Sequence, residues 1–206
     1  KFFVISFLET LFHLSLNNEN KIIILTTLNA VIQKTLPKNE ITKNFITISK
    51  KSKIKIDKIL LLLIKLGYER TSLVRDKSEF AIRGSIIDIF LPQSVNPIRI
   101  DLFDDEIESI FEFDPITQKR FKRSDLDSFT INPSNELIID NQNLERFRVQ
   151  FRSTFQNFRK SQTYEMFSSG IIPSGGEQFL PLFYENLETL FDYCKNSQIL
   201  IHNDII

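Results

Sequence analysis

Residues 79–114 read EFAIRGSIIDIFLPQSVNPIRIDLFDDEIESIFEFD, and this stretch decides the fold. Apolar and polar side chains alternate along most of it, which is the period of a half-buried antiparallel sheet. Four strands fit the pattern: Phe80 to Arg83, Ser85 to Phe90, Ile98 to Asp104 and Glu106 to Phe113. Gly84 reads as a bulge, Leu91 to Pro97 as a loop carrying two prolines, and Asp104 with Asp105 as a tight corner.

Alternate residues of a strand face opposite sides of the sheet, so parity assigns each side chain a face. Ile98, Ile100 and Leu102 share the core face, with Phe80, Ile82, Ile107, Phe111 and Phe113 pointing the same way. Arg99, Asp101 and Phe103 share the other face with Ala81, Arg83, Glu106, Glu108 and Glu112. Two arginines and one phenylalanine thus stand among polar neighbours. Parity leaves two readings open. Either Arg83 and Arg99 pair across strands with Asp101 and nearby glutamates, or the three residues form a binding surface, since Arg and aromatic anchors dominate protein interfaces. Pattern alone favours the first.

Bulk composition narrows the function. The 206 residues allow one large domain or two to three small ones. Lys plus Arg and Asp plus Glu are 26 each, a balance that argues against a dedicated nucleic-acid binder. Cys194 is the one cysteine and there are two histidines, so neither an internal disulfide nor a structural zinc site is expected. The reducing cytoplasm fits this usage. The longest apolar run, Ile59 to Ile64, is far short of the roughly 20 residues of a membrane span. The chain opens on Lys1 and is read as a piece of a longer protein.

Taken in order, an amphipathic helix is expected first, with Phe3, Phe7, Leu8, Leu11 and either Leu14 or Ser15 on one face. A buried strand is expected at Lys21 to Thr26 and a short helix at Leu28 to Leu36. An edge strand follows Asn44, and a helix covers Ile56 to Leu66, with Ile56, Ile59, Leu60, Leu63 and Ile64 inward and Gly67 as its stop. Beyond the sheet, Phe121 to Asp127 reads as charged turn and Thr130 to Pro133 as a short strand. Helices are expected at Asn143 to Arg159 and Thr163 to Ser168, then a loop at Gly170 to Gly176. FLPLFYENLETLFDYC is core material, and Ser197 to His202 closes the chain as a buried strand.

The sequence carries no catalytic constellation. No phosphate-cradling G-x-x-x-x-G-K-[ST] loop is present, since Gly175 and Gly176 lack the lysine and hydroxyl at the required offset. Asp104, Asp105 and Glu106 diverge as a solvated corner instead of converging on a metal. His13 with Glu9 one turn earlier lacks a nucleophile, and Cys194 reads as an inert thiol. Lysines between Lys50 and Lys58 read as a solvated face without interleaved aromatics, and the arginines from Arg146 to Arg159 as a wet helix flank.

The run LGYERTSLVRDKSEFAIRGSIIDIFLPQSVNPIRIDLFDDEIESIFEFDPITQKR, Leu66 to Arg120, closely resembles the module shared by the bacterial transcription-repair coupling factors (Mfd) and the excision-repair subunit UvrB. Its carriers are GYxR, then A-x-R-G with D-[IL]-F, then P-x-R-[IL]-D-x-F-x-D-E, then FDxxxQ. The downstream LPLFYENLETLFDYC resembles the coupling factors and not UvrB. The resemblance implies an α/β chain: a degenerate helicase-like (P-loop-type) domain lacking nucleotide motifs, with an inserted α+β antiparallel-sheet domain. It implies boundaries at 1–36 (end of domain 1a), 37–128 (inserted UvrA-binding domain 2) and 129–206 (domain 1b).

It further implies a non-catalytic docking module for UvrA, with the partner contacts on Arg83, Arg99 and Phe103 and no cofactor in this piece. ATP, RNA polymerase and double-stranded DNA belong to motor and other domains of the full-length translocase. A UvrB-like DNA-contacting module through the Lys50–Lys58 and Arg146–Arg159 patches is the alternative.

Overall fold

The computed structural model describes residues 2–16, 23–194, 197, 198 and 200, with side chains described from residue 7 onward. In chain order the elements are α1 (Phe2–Ser15), α2 (Leu28–Ile32), α3 (Lys38–Lys43), β1 (Ile46–Ser49), α4 (Ile56–Lys65), β2 (Glu69–Arg70), β3 (Glu79–Arg83), β4 (Ile86–Ile89), β5 (Ile98–Phe103), β6 (Glu106–Phe113), β7 (Arg120–Asp125) and β8 (Ser128–Ile131). α5 (Asn141–Thr154), α6 (Gln162–Ser168), α7 (Leu180–Phe183) and α8 (Leu190–Tyr193) follow, with short 3₁₀ turns at Phe158–Lys160 and Gly176–Phe179. The chain is a mixed α and β protein in two compact units, one of residues 1–7 and 43–138 and one of residues 8–42 and 139–206.

In the first unit, β2 to β7 form a six-stranded sheet in sequence order. It is antiparallel except for β2, which runs parallel to β3 at one edge. One face of this sheet carries the main core. Phe80, Ile87, Ile89, Ile98, Ile100, Leu102, Ile107 and Ile110 pack there with Ile59, Leu63 and Leu66 at the end of α4, and with Ile48, Phe129 and Ile131 from the antiparallel β1–β8 pair.

α4 shows why the spacing works. Asp57 in its first turn and Lys65 in its last oppose the helix dipole. It ends in a Schellman turn: Gly67, at φ 83°, donates to the Ile64 carbonyl at 3.0 Å, and the Tyr68 N–H reaches Leu63 O at 2.9 Å. Leu66 takes the buried place expected of Ile64, which is exposed, because the helix turns Ile59, Leu63 and Leu66 onto the sheet.

The second unit is built on stacked phenylalanines. Asp140 caps α5, accepting from the Gln142 and Asn143 N–H groups at 3.1 and 3.0 Å while Asn143 Oδ1 accepts from the Asp140 N–H. α5 then buries Phe147, whose ring centre lies 4.5 Å from Phe183, 4.9 Å from Phe167 and 5.2 Å from Phe151. A two-way backbone bridge joins Thr35 to Glu188, and the buried Tyr193 hydroxyl donates to Leu36 O at 2.7 Å.

Further expectations are corrected. Residues 23–26 form no strand; Ile23 and Leu25 are 90 and 93 % exposed, because an apolar run becomes a strand only where a neighbour pairs with its backbone. The helix expected to reach Arg159 stops at Thr154, where the Ser153 and Thr154 hydroxyls turn back onto Gln150 O. The charged segment after Gln118 is strand β7, paired with β6 through backbone groups that do not depend on side-chain polarity. Gly84 is not a bulge but, with Ser85, the two-residue turn between β3 and β4. Half of the expected closing strand, residues 199, 201 and 202, lies outside the described residues, and Ser197, Gln198 and the exposed Leu200 are in no strand.

The sheet faces beyond Glu108 are also corrected. Asp101 lies opposite Ser109, but Leu102 lies opposite Ile107, so β6 carries one extra residue at Glu108. That bulge reverses parity along the rest of the strand. Ile110 takes the core face, while Phe111 lies opposite Arg99 and turns to the other side. Phe113 joins it there in a small second core with Val74, Ala81 and Phe90.

Candidate functional site

The second face of the sheet is where Arg83, Arg99 and Phe103 stand. The β3–β4–β5 register puts Ala81, Asp88 and Arg99 in one row, and Arg83, Ile86 and Asp101 in the next. Phe103 follows Asp101 by two residues on the same strand. At about 3.3 Å per residue it sits some 13 Å along β5 from Arg99. It is 71 % exposed, beside the Asp104–Asp105 corner, where Asp104 adopts a left-handed φ of 54°.

Between the arginines lies a residue the sequence reading did not single out. Asp88, its side chain 0 % exposed, takes both guanidinium groups on one carboxylate. Arg83 Nη2 donates to Oδ2 at 2.6 Å, Arg99 Nε to Oδ1 at 2.6 Å and Arg99 Nη2 to Oδ2 at 2.9 Å. The Arg99 contact is a two-bond fork, the geometry that planar guanidinium and carboxylate share. Asp101, the partner that parity suggested, instead accepts from the Ser109 hydroxyl at 2.9 Å.

Arg99 is held from two further sides. Its guanidinium lies 4.3 Å above the centre of the Phe113 ring, and Nη2 also donates to Gln118 Oε1 at 3.0 Å. The FDxxxQ segment builds this clasp. Asp114 Oδ1 accepts from the Ile116 and Thr117 N–H groups at 2.8 and 2.9 Å, and these bonds hold its carboxyl below the usual range. The turn so formed sets Gln118 in the left-handed region, at φ 60°, with Nε2 donating to Pro115 O at 2.9 Å and Val74 O at 3.3 Å. Every polar position of that motif therefore has a task at the arginine cluster.

The two arginines end in different states. Arg83's side chain is 41 % exposed and Arg99's 15 %. Parity placed both on the polar face and favoured their pairing across strands; the bulge and the Gln118 turn make that face drier around Arg99. The cluster carries two cations and one anion, which leaves a net positive site bordered by an exposed aromatic ring. Such an arrangement suits an acidic protein surface with an apolar spot.

The comparisons with known proteins fall on this region. Residues 46–137 match the UvrB interaction domain, a span that begins with β1 and takes in α4 and all eight strands. The chain is also similar along 94 % of its length, at 36 % identity, to the transcription-repair-coupling factor of Haemophilus influenzae, of which it covers 17 %. Nearly the whole chain matches one part of a transcription-repair-coupling factor. It shares 32 % identity with the Rickettsia bellii coupling factor over 95 % of this chain and 17 % of that protein. With the Escherichia coli one it shares 30 % over 87 % of this chain and 16 % of that protein. The chain thus spans about a sixth of the length of the coupling factors it matches.

The remaining candidates assemble no chemistry. His13 is exposed and its ring packs at 5.9 Å on Phe12. Cys194 is partly buried, and burial pushes its thiol above the ordinary value, away from the reactive thiolate. No cluster of three or more His, Cys, Asp or Glu able to hold a metal occurs among the described residues, and no described helix is long and apolar enough to cross a membrane.

Proposed function

We propose that the segment of residues 37–128 is a non-catalytic docking module for UvrA, and that through it the longer coupling factor brings UvrA to RNA polymerase stalled at DNA damage. The observation that carries this reading is the Arg83–Asp88–Arg99 cluster sharing one sheet face with the exposed Phe103. The match of residues 46–137 to the UvrB interaction domain supports it. Carboxylates on UvrA meet the positive cluster through charge-assisted bonds, and the Phe103 ring seats in an apolar pocket beside them. Residues 1–36 and 129–206 are assigned to the two parts of a degenerate helicase-like domain that flank residues 37–128. ATP hydrolysis and DNA translocation belong to other parts of the longer protein, and the module itself needs no cofactor.

The test is capture of purified UvrA on the immobilised chain. Arg83→Ala and Phe103→Ala, each verified as folded by circular dichroism, are expected to lose most of the UvrA held by the parent. Retention of UvrA by both variants at the parental level refutes docking on this face.

DNA contact through the basic patches is the weaker reading. Arg152 Nε is committed to the Tyr164 hydroxyl at 2.7 Å, and Arg148 to Glu145 and to Ser168 O. Arg148 thus has a charged partner in Glu145, and both guanidinium groups are engaged inside the second unit. A low-salt gel shift of duplex DNA by the chain alone separates the readings, since phosphate-driven binding is steeply salt-dependent.

A further inference from the structure

We propose that Asp88 is the positioning residue of the docking face, and that the two arginines divide the work: Arg83 meets the partner, while Arg99 acts from behind by fixing Asp88. This rests on the docking reading and adds to it which charge touches the partner and what holds it ready.

The inventory of N–H donors makes the case. A guanidinium has five. Arg99 places four of its own: Nε and one Nη2 hydrogen on Asp88, the other Nη2 hydrogen on Gln118 Oε1, and one Nη1 hydrogen on Gln118 O at 3.5 Å. Its flat face rests on Phe113. Little of Arg99 is left for another molecule. Arg83 uses a single Nη2 hydrogen, on Asp88 Oδ2, and is the more exposed of the two.

Asp88 itself cannot reach a partner, being wholly covered. Its carboxylate is set by the Arg99 fork, and its Oδ2 then fixes one corner of the Arg83 guanidinium. A side chain with many rotamers is thereby held before binding, so less of its freedom is lost when a partner carboxylate closes a second fork on the free donors. The same carboxylate cancels one of two adjacent positive charges, which lets the arginines stand together without mutual repulsion. Phe113, Asp114 and Gln118 serve the same end by holding Arg99.

A thermodynamic cycle tests the assignment. UvrA affinity is measured by calorimetric titration for the 206-residue parent, Asp88→Asn, Arg83→Ala and the double variant, with the folded fraction followed by circular dichroism. Asp88→Asn is expected to weaken binding about tenfold, and the double variant to bind no more weakly than Arg83→Ala alone, because Asp88 acts through Arg83. Parental affinity in Asp88→Asn, or losses from the two substitutions that simply add, overturns the proposal.

Should Asp88→Asn fail to fold, nitrogen-15 spectra of the arginine side chains in the parent decide. The Arg83 signals are expected to shift when UvrA is added while those of Arg99 stay in place, and equal shifts overturn the division of labour. Failure of the docking reading is a separate result: Arg83→Ala and Phe103→Ala both bind UvrA as the parent does.

Discussion

Replacing Asp88 by alanine probes the cluster most directly, and its cost follows from the burial of each partner. Arg83 is 41 % exposed, so its pair with Asp88 is largely screened by water, and Arg83→Ala should cost no more than about 1 kcal/mol. Arg99 is different: at 15 % exposure, with Phe113 beneath it, its guanidinium has Asp88 as its one paired anion. Asp88→Ala leaves that cation covered and uncompensated, a loss on the order of 3 to 5 kcal/mol. This is a large share of a domain's usual margin of roughly 5 to 15 kcal/mol. Removing the charges together is milder, since buried pairs replaced by apolar residues are often neutral, so Asp88→Leu with Arg99→Met should recover much of the loss. The assay is native-state hydrogen exchange of the Asp88 and Ile100 amides, which reads this sheet and not the second unit. Raising the salt should shrink the small Arg83→Ala effect and leave the Asp88→Ala effect standing. The reasoning is refuted if Asp88→Ala costs no more than Arg83→Ala, or if the double replacement is worse than Asp88→Ala alone.

Three further outcomes are expected. Phe147→Ala removes the ring that contacts Phe151, Phe167 and Phe183, and should destabilise the second unit by about 3 to 5 kcal/mol in urea unfolding, leaving exchange protection in β3–β6 unchanged. Gly67→Ala should cost at least about 1 to 2 kcal/mol, because φ is +83° and the new Cβ would stand 2.7 Å from Ser134 Oγ; a neutral thermal midpoint contradicts it. The lowered Asp114 carboxyl stabilises its turn fully above the ordinary aspartate value, and that contribution disappears as pH falls through the lower folded value. The Ile116 and Thr117 amides should therefore lose exchange protection in acid, and Asp114→Asn should remove that pH dependence.

How much was legible in the sequence varies with how local the cause is. β3 to β6 follow from alternation, from the Leu91–Pro97 loop and from the Asp104–Asp105 corner, and α4 follows from its apolar spacing and Gly67, because these signals act within a few residues. Arg83, Arg99 and Phe103 were placed on one face by counting along their own strands, which no bulge interrupts. Phe111 and Phe113 were misplaced because the extra residue at Glu108 flips all that follows it. Residues 23–26 and 120–125 failed in opposite directions: the first are apolar with no ladder, the second charged with one. Strand formation there depends on a neighbour that local composition does not reveal.

By itself, then, the sequence determined which segments alternate, where they turn, and that arginine, arginine and phenylalanine lie on a common side. Only the tertiary structure decided that Asp88 comes between the arginines, that Gln118 and Phe113 enclose one of them, and that the other commits a single donor to Asp88. The physical reason is that side-chain direction along a strand is set by neighbouring bonds, whereas the partner of a buried charge is set by the register of strands meeting across the sheet.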